Sequence, residues 1–350
     1  LDLAPTLDAA RYRAAVERIR ALIHAGDCYQ VNYTFALAGR IYGAPLALYE
    51  RLRRAQPVRY GAYIEDGQRR MLSRSPELFI ERRGRRLTCR PMKGTAPRAS
   101  DPQALAESAK NRAENVMIVD LIRNDLGRLA PPGGVRVEAL CEIEAYPSVW
   151  QMTSTVSAEP VTAGLRDIFR ALFPCGSVTG APRIRAMEII RELETQPRGV
   201  YCGAIGWLAP DGDFRFNVPI RTLAIDERGG ARLGIGSGIV ADSDPDDEWR
   251  ECLLKGSFVH REPPGFALIE TLRCDPAEAE PYPLFERHLA RLARSARALG
   301  FACDLPAARA ALLRQADGLA GTQRVRLQLE ADGTFAITAA PLDDLPDAVS

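Results

Sequence analysis

Position 93 holds one of only three lysines among 46 cationic side chains; apart from Lys110 and Lys255, the rest are arginines. Arginine serves wherever a permanent positive charge is wanted, because a guanidinium does not lose its proton. A lysine whose surroundings lower its pKa becomes a neutral amine, which is a nucleophile or a base. Lys93, in "RPMKGTAPR", is therefore a candidate for chemistry, beside the plainer readings of a surface lysine or a phosphate clamp. Two carboxylate-bearing segments offer it company. Glu114 sits mid-helix among apolar neighbours, and Glu248, Glu251 and Lys255 fall at i, i+3 and i+7 on one helical face. Carboxylates on separate helices can share a hard cation, since Mg²⁺ takes one or two of them plus substrate oxygens and waters. Spacing alone explains the same charges as solvated salt bridges. "PCGSVTGAP" opens a helix and offers backbone N–H groups to an anion, or is a plain tight turn. "GIGSG" (234–238) is not a dinucleotide fingerprint; glycines there let a ligand approach the backbone closely.

The elements that must position these residues are legible in part. Residues 8–25 carry apolar positions at helical spacing, closed by Gly26-Asp27, and "CYQVNYTFALAG" reads as a strand. "RRMLSRSPELFIERRGRRLTCRPM" reads as a hairpin around Gly84 with a break at Ser75-Pro76 before Glu77. "SDPQALAESAKNRAENVMIVDLIRNDLGR" reads as one long helix capped by Ser100 or Asp101, with Pro102 in its first turn. "GVYCGAIGWLA", "FRFNVPIRTLAID" and "ARLGIGSGIVA" read as three strands of an antiparallel meander, joined at Asp211-Gly212 and Gly229-Gly230. "DPDDEWRECLLKGSFVH" is a helix started by Pro245. Composition shifts at "REPPG" (261–265), a linker, after which "FALIETLR", the helix "PLFERHLARLARSARALGF" and the pair "RVRLQLE"/"FAITAAP" make a smaller α+β piece. The fold class is α/β (α+β), with domains at 1–260 and 266–350.

Composition excludes several classes. With 350 residues, 46% hydrophobic, 26% charged and a net charge of +1, the chain is an ordinary globular one and not a general nucleic-acid binder. No apolar run is long enough to span a membrane, and no signal peptide opens the sequence, which points to the cytoplasm. The eight cysteines form no C-x-x-C pair and the three histidines are scattered, so zinc sites, disulfide frameworks and a Ser-His-Asp triad have little material.

In order along the chain, "GDCYQVNYT", "SRSPELFIE", "RPMKGTAPR", "AENVMIVDLIRNDLGR", "FPCGSVTGAPRIRAMEIIRELE", "RGVYCGAIGW", "IRTL" and "GSGIVADSDPDDEWRECLLK" resemble the chorismate-utilising enzymes. That family includes the first components of anthranilate and aminodeoxychorismate synthases and the isochorismate and salicylate synthases. The resemblance implies a large antiparallel-sheet α/β sandwich. It also answers the question of Lys93: most branches carry Ala in the P-x-A-G-T form of this motif, and the aminodeoxychorismate branch carries Lys. Water-using branches place a lysine base where Gln30 stands here. Many relatives have His at Gln151.

The roles below are those the resemblance implies. Lys93 attacks C2 of chorismate, Glu77 is the general acid for the C4 hydroxyl, and ammonia then adds at C4. Glu114 and Glu251, with Glu248 nearby, hold Mg²⁺. Thr179, Tyr201, Arg221, Lys255 and the backbone of Gly236 to Gly238 lie on the substrate side. No cysteine has the G-x-C-x-G flanks of an amidotransferase nucleophile, so a separate glutamine amidotransferase partner, or free ammonia, is implied as the nitrogen source. The smaller piece resembles the start of aminodeoxychorismate lyase, with Arg291 at a phosphate-contacting position. Its Schiff-base lysine would lie further on, so the expectation is a synthase–lyase fusion with the lyase half incomplete and no pyridoxal phosphate bound. The start at Leu1 implies a preceding segment, including half of a tryptophan pocket. An anthranilate synthase and a non-catalytic scaffold remain the alternatives.

Overall fold

The computed structural model describes residues 2–98, 100–146, 149–260 and 266–342. The chain divides into two compact units, Leu3–Val259 and His260–Ser350, the first two residues grouping with the latter. The expected linker at 261–265 lies outside the described residues.

The larger unit contains two seven-stranded sheets whose pairings below are all antiparallel. The first runs β1 (Asp2–Pro5), β2 (Gln30–Arg40), β14 (Gly230–Ile239), β13 (Thr222–Asp226), β4 (Arg69–Ser75), β3 (Tyr60–Glu65), with β10 (Gly180–Ala181) also on β2. The second runs β11 (Ile205–Leu208), β12 (Phe214–Asn217), β5 (Leu78–Arg83), β6 (Arg86–Arg90), β9 (Val149–Ala158), β7 (Met92–Pro97), with β8 (Val135–Ala145) on β9. The helices are α1 (Ala9–His24), α2 (Pro45–Ala55), α3 (Pro102–Glu107), α4 (Ala109–Gly127), α5 (Leu165–Leu172), α6 (Arg183–Leu193) and α7 (Pro245–Gly256).

Helices α1 and α7 cover one face of the first sheet. Tyr12 of α1 is fully buried there with its hydroxyl 3.0 Å from Ser237 Oγ, and Trp249 of α7 stacks on Phe35 at 5.0 Å. Helices α4 and α5 join the second sheet in a core of Ile80, Leu87, Ile118, Leu126, Val156 and Ile168. At roughly 1.5–3 kcal/mol per fully buried aliphatic side chain, these layers hold the sheets rigidly enough to carry a site.

Two readings of the sequence need correction. The long helix is two, because Ser108 takes an extended conformation and caps α4 through Asn111 N, while Asp101 caps α3. The single strand "FRFNVPIRTLAID" is broken into β12 and β13, which lie in different sheets. Pro219 has no N–H for a ladder, and Arg221 has φ +49, outside the strand region. For the same reason the three runs do not form one meander: β11–β12 and β13–β14 are separate hairpins, and Tyr201 lies in a turn before β11.

Two of the passages between sheets are short, at Ser75–Glu77 and at Val218–Arg221. The crossings touch, Val218 N donating to Glu77 O at 3.2 Å. Each carries one of the expected site residues.

The smaller unit has a three-stranded antiparallel sheet, β15 (Leu268–Cys274), β16 (Gln323–Leu329) and β17 (Phe335–Pro341), with helices α8 (Phe285–Leu299) and α9 (Leu305–Asp317). Leu289, Leu292, Leu312, Val325 and Leu327 form its own core. No helix among the described residues is long and apolar enough to cross a membrane.

Candidate active site

Strand β14 carries glycine at three alternate positions, 234, 236 and 238, so one of its faces is bare backbone. A Cβ at Gly234 would sit 2.2 Å from the Tyr201 ring, and one at Gly238 would sit 2.3 Å from Gln30 Nε2 and 3.1 Å from Lys93 Nζ. A side chain at either position would fill the space these groups occupy. The buried Tyr201 ring therefore lies over one end of the strip and the Lys93 amine over the other, with Gly236 between them. A flat ring can lie there against backbone.

Lys93 and Glu77 are tuned in opposite directions. Burial pushes the carboxyl of Glu77, 3% exposed, up to about 7, although Ser177 Oγ donates to its Oε1 at 2.7 Å and the Lys93 charge also favours the ionised form. Burial lowers the Lys93 amine; Lys255 adds to this by repulsion, against the opposing pull of Glu114, Glu77 and Glu251. Below about pH 7 the site thus favours a protonated acid, with an amine of reduced proton affinity in the same site, the pairing that acid-assisted nucleophilic attack requires.

Helices α4 and α7 bring the acidic residues to the same neighbourhood. Glu114 is raised by burial and further by the negative charges of Glu248 and Glu251, despite Lys93 and Lys110. Glu248 is buried and accepts from Ser243 Oγ at 2.7 Å. Burial would raise Glu251, but Lys255, 2.6 Å away, outweighs it and leaves the carboxyl below its ordinary value. Lys255 is raised in return, and its Nζ also donates to Gly236 O at 3.1 Å. Among the described residues no three His, Cys, Asp or Glu lie close enough together to hold a metal ion. Glu114, however, lies within electrostatic reach of both carboxylates of α7. Such separated acids fit Mg²⁺, which needs only one or two protein ligands, better than a closed cage.

The remaining expected residues fall less uniformly. Arg221 lines a depression together with Gln151, Met92 and Pro76. Thr179 is buried and its hydroxyl turns back on its own loop, donating to Cys175 O at 3.0 Å. Arg291 lies in the smaller unit and is held by Glu270, 4% exposed, which also takes His288 Nδ1 at 2.6 Å. That ion pair occupies the guanidinium with a carboxylate.

The sequence reading did not single out Ser177, the one side chain that hydrogen-bonds the Glu77 carboxyl among the described residues. Its only signal was membership of the glycine-bearing loop at 175–180. Gln30 is fully buried beside Lys93, and neither of its amide atoms has a partner among the described residues.

Residues 1–261 match the chorismate binding enzyme family. Over 252 residues the chain is 43% identical to aminodeoxychorismate synthase component 1 of Salmonella typhimurium, covering 70% of this chain and 55% of that protein. Over 258 residues it is 42% identical to anthranilate synthase component 1 of Streptomyces coelicolor, covering 71% of this chain and 50% of that protein. The crystal structure of anthranilate synthase component I from Streptococcus pneumoniae matches with a TM-score of 0.69 at 34% identity, over 75% of this chain and 60% of that one. The chain spans about half the length of the curated relatives it matches. Two differently named relatives at nearly equal identity leave the choice of product to individual side chains. A match across nearly three quarters of the sequence, together with the shared fold, shows that the chain belongs to the chorismate binding enzyme family.

Proposed function

We propose that this chain is the chorismate-aminating component of an aminodeoxychorismate synthase, making 4-amino-4-deoxychorismate for 4-aminobenzoate and folate synthesis. The observation that carries the reading is the pair Lys93 and Glu77: an amine lowered and a carboxyl raised by burial in one site. Relatives with the aminodeoxychorismate synthase name at 43% identity support it. The neutral amine of Lys93 bonds to C2 of chorismate, the ring double bonds shift, and the C4–O bond breaks. Glu77 gives its proton to the departing oxygen, which leaves as water. Ammonia then bonds to C4, the double bonds shift back, the C2–N bond to Lys93 breaks to free the neutral amine, and the proton shed by the new C4 nitrogen returns to the Glu77 carboxylate.

Tyr201 and the glycine strip of β14 seat the ring, and Arg221 and Lys255 face its carboxylates. Thr179 shapes the adjoining loop. Glu114 and Glu251, with Glu248, would hold Mg²⁺, whose charge would offset that of a ring carboxylate. A "component 1" name in the relatives implies a second component, which fits a glutamine amidotransferase partner as the ammonia source. The smaller unit is read as the opening part of a pyridoxal-phosphate lyase, and a cytoplasmic location goes with both.

Mass spectrometry of the products from chorismate, Mg²⁺ and ammonium tests the proposal. Aminodeoxychorismate, with a transient Lys93 adduct of chorismate less water, supports it. Anthranilate and pyruvate in its place would make the chain an anthranilate synthase component, and no product at all a scaffold.

A further inference from the structure

The strand that carries Lys93 is irregular at that residue. Met92 of β7 pairs with Thr153 and Thr95 pairs with Gln151, so three steps along β7 span two along β9. The extra residue makes a β-bulge, which bends a strand and re-aims a side chain. Gly94 takes φ +90 within it, and a Cβ there would meet Asn111 Cβ at 3.1 Å. Only glycine adopts that conformation without strain.

A bulge takes backbone groups out of the ladder, and a buried carbonyl without a donor is costly. Here the donor is a side chain. Gln151 Nε2 donates to Gly94 O at 2.7 Å, and the Oε1 of the same amide accepts from Thr95 Oγ1 at 3.0 Å. Gln151 is 6% exposed. One buried carboxamide therefore fastens both residues that follow Lys93, the first through its backbone and the second through its side chain.

We infer that Gln151 is a positioning residue for the Lys93 amine: its carboxamide locks the Lys93–Gly94 bulge in the conformation that lays Nζ against Gly238. It needs no contact with substrate. An aliphatic residue at 151 offers neither donor nor acceptor, so the bulge would relax and the amine would move. The consequence for rate rests on the reading of Lys93 as nucleophile. The consequence for the amine itself does not.

The test uses the full chain and two variants. Gln151→Leu keeps the volume and deletes both bonds; Thr95→Val deletes one hydroxyl from an exposed residue and leaves the Gly94 bond. Trace acetylation over a pH series, read by peptide mass spectrometry, gives the reactivity midpoint of Lys93, with an unstructured lysine peptide as reference. The parent should show Lys93 titrating below that peptide. Gln151→Leu should move the Lys93 midpoint up towards the peptide value, and Thr95→Val should move it in the same direction by less. Formation of the chorismate adduct should slow by about 10²-fold in Gln151→Leu, the loss expected when a reacting atom is misplaced by about 1 Å, with KM little changed. An unmoved Lys93 midpoint in a folded Gln151→Leu protein overturns the inference and leaves Gln151 as a filler of the bulge. Should that variant not fold, an unmoved midpoint in Thr95→Val does the same. A moved midpoint with no adduct in the parent or the variant upholds the inference and defeats the covalent mechanism instead.

Discussion

Replacing Glu77 by glutamine separates the work of the carboxyl in catalysis from its effect on the fold. The group titrates at an ordinary value of 4.5 when solvated and is pushed up to about 7 by burial in the native site. Between these values the folded chain holds a proton that the unfolded chain has released, so stability falls as pH rises. The contribution is intact below pH 4.5, declines through the interval, and is lost once pH has passed about 7. A gap of that size corresponds to roughly 3 kcal/mol at 1.36 kcal/mol per unit, an upper figure because a charged site can relax or admit water. Glutamine stays neutral, keeps the shape, and its amide oxygen still accepts from Ser177 Oγ. Glu77→Gln should therefore lose amination while gaining stability relative to the parent as pH is raised, up to about 3 kcal/mol between acid and mildly alkaline conditions. Urea denaturation of both proteins at a series of pH values reads the difference directly. A stability difference that is flat with pH, or one that moves the other way, would refute the view that Glu77 is a buried acid protonated near neutrality.

Other outcomes follow from the same geometry. Lys93→Arg keeps a positive charge but cannot become a neutral amine, so product formation should fall as far as in Lys93→Ala; an Arg variant with most of the parent rate would make Lys93 an electrostatic clamp. Gly238→Ala would place a Cβ 2.3 Å from Gln30 Nε2 and 3.1 Å from Lys93 Nζ, both the ends of flexible side chains; the melting temperature should change little while adduct formation collapses, and the reverse pattern would show that the glycine is needed only for folding. Ser177→Ala removes a bond that favours the carboxylate, so the alkaline limb of the rate profile assigned to Glu77 should move to higher pH, and a limb that stays in place would assign it to another group. Glu114→Gln should weaken Mg²⁺ binding measured by calorimetry on the substrate-free protein and abolish turnover, whereas full turnover in excess chelator would remove the metal from the reaction.

Much of this site was legible because its parts obey local rules. Pro245 and the acidic first turn started α7, and the i, i+3, i+7 spacing put Glu248, Glu251 and Lys255 together on it. Alternation along β14 put Gly234, Gly236 and Gly238 on one face without any knowledge of the fold. What failed were the places where tertiary structure overrides local pattern. Residues 214–226 look like one strand because their side chains are strand-formers, yet Pro219 and the left-handed Arg221 send the two halves to different sheets. The importance of Ser177 was hidden because Glu77 lies 100 residues away. The bulge at Lys93 depends on pairing with β9, and nothing in "PMKGT" alone reveals which strand will oppose it. Motifs therefore identified the groups, and long-range pairing set their protonation and aim.

That division explains why the lysine was conspicuous in a chain whose cationic side chains are mostly arginine. Burial drives Glu77 and Lys93 each toward its neutral form, while each charge, if present, would favour the other's ionisation. The two are thus coupled through one desolvated site. If the ion pair formed fully, the acid would have given up its proton and the amine its lone pair, and neither could act. The site is arranged against that outcome: Lys255 repels a charge on Lys93, and the deep burial of Glu77 resists its ionisation. The negative groups on α4 and α7 pull the other way on Lys93. A dication held by those carboxylates would offset that pull and tilt the amine further toward its reactive form. An arginine could not respond to any of these fields, because its proton is not available to be moved.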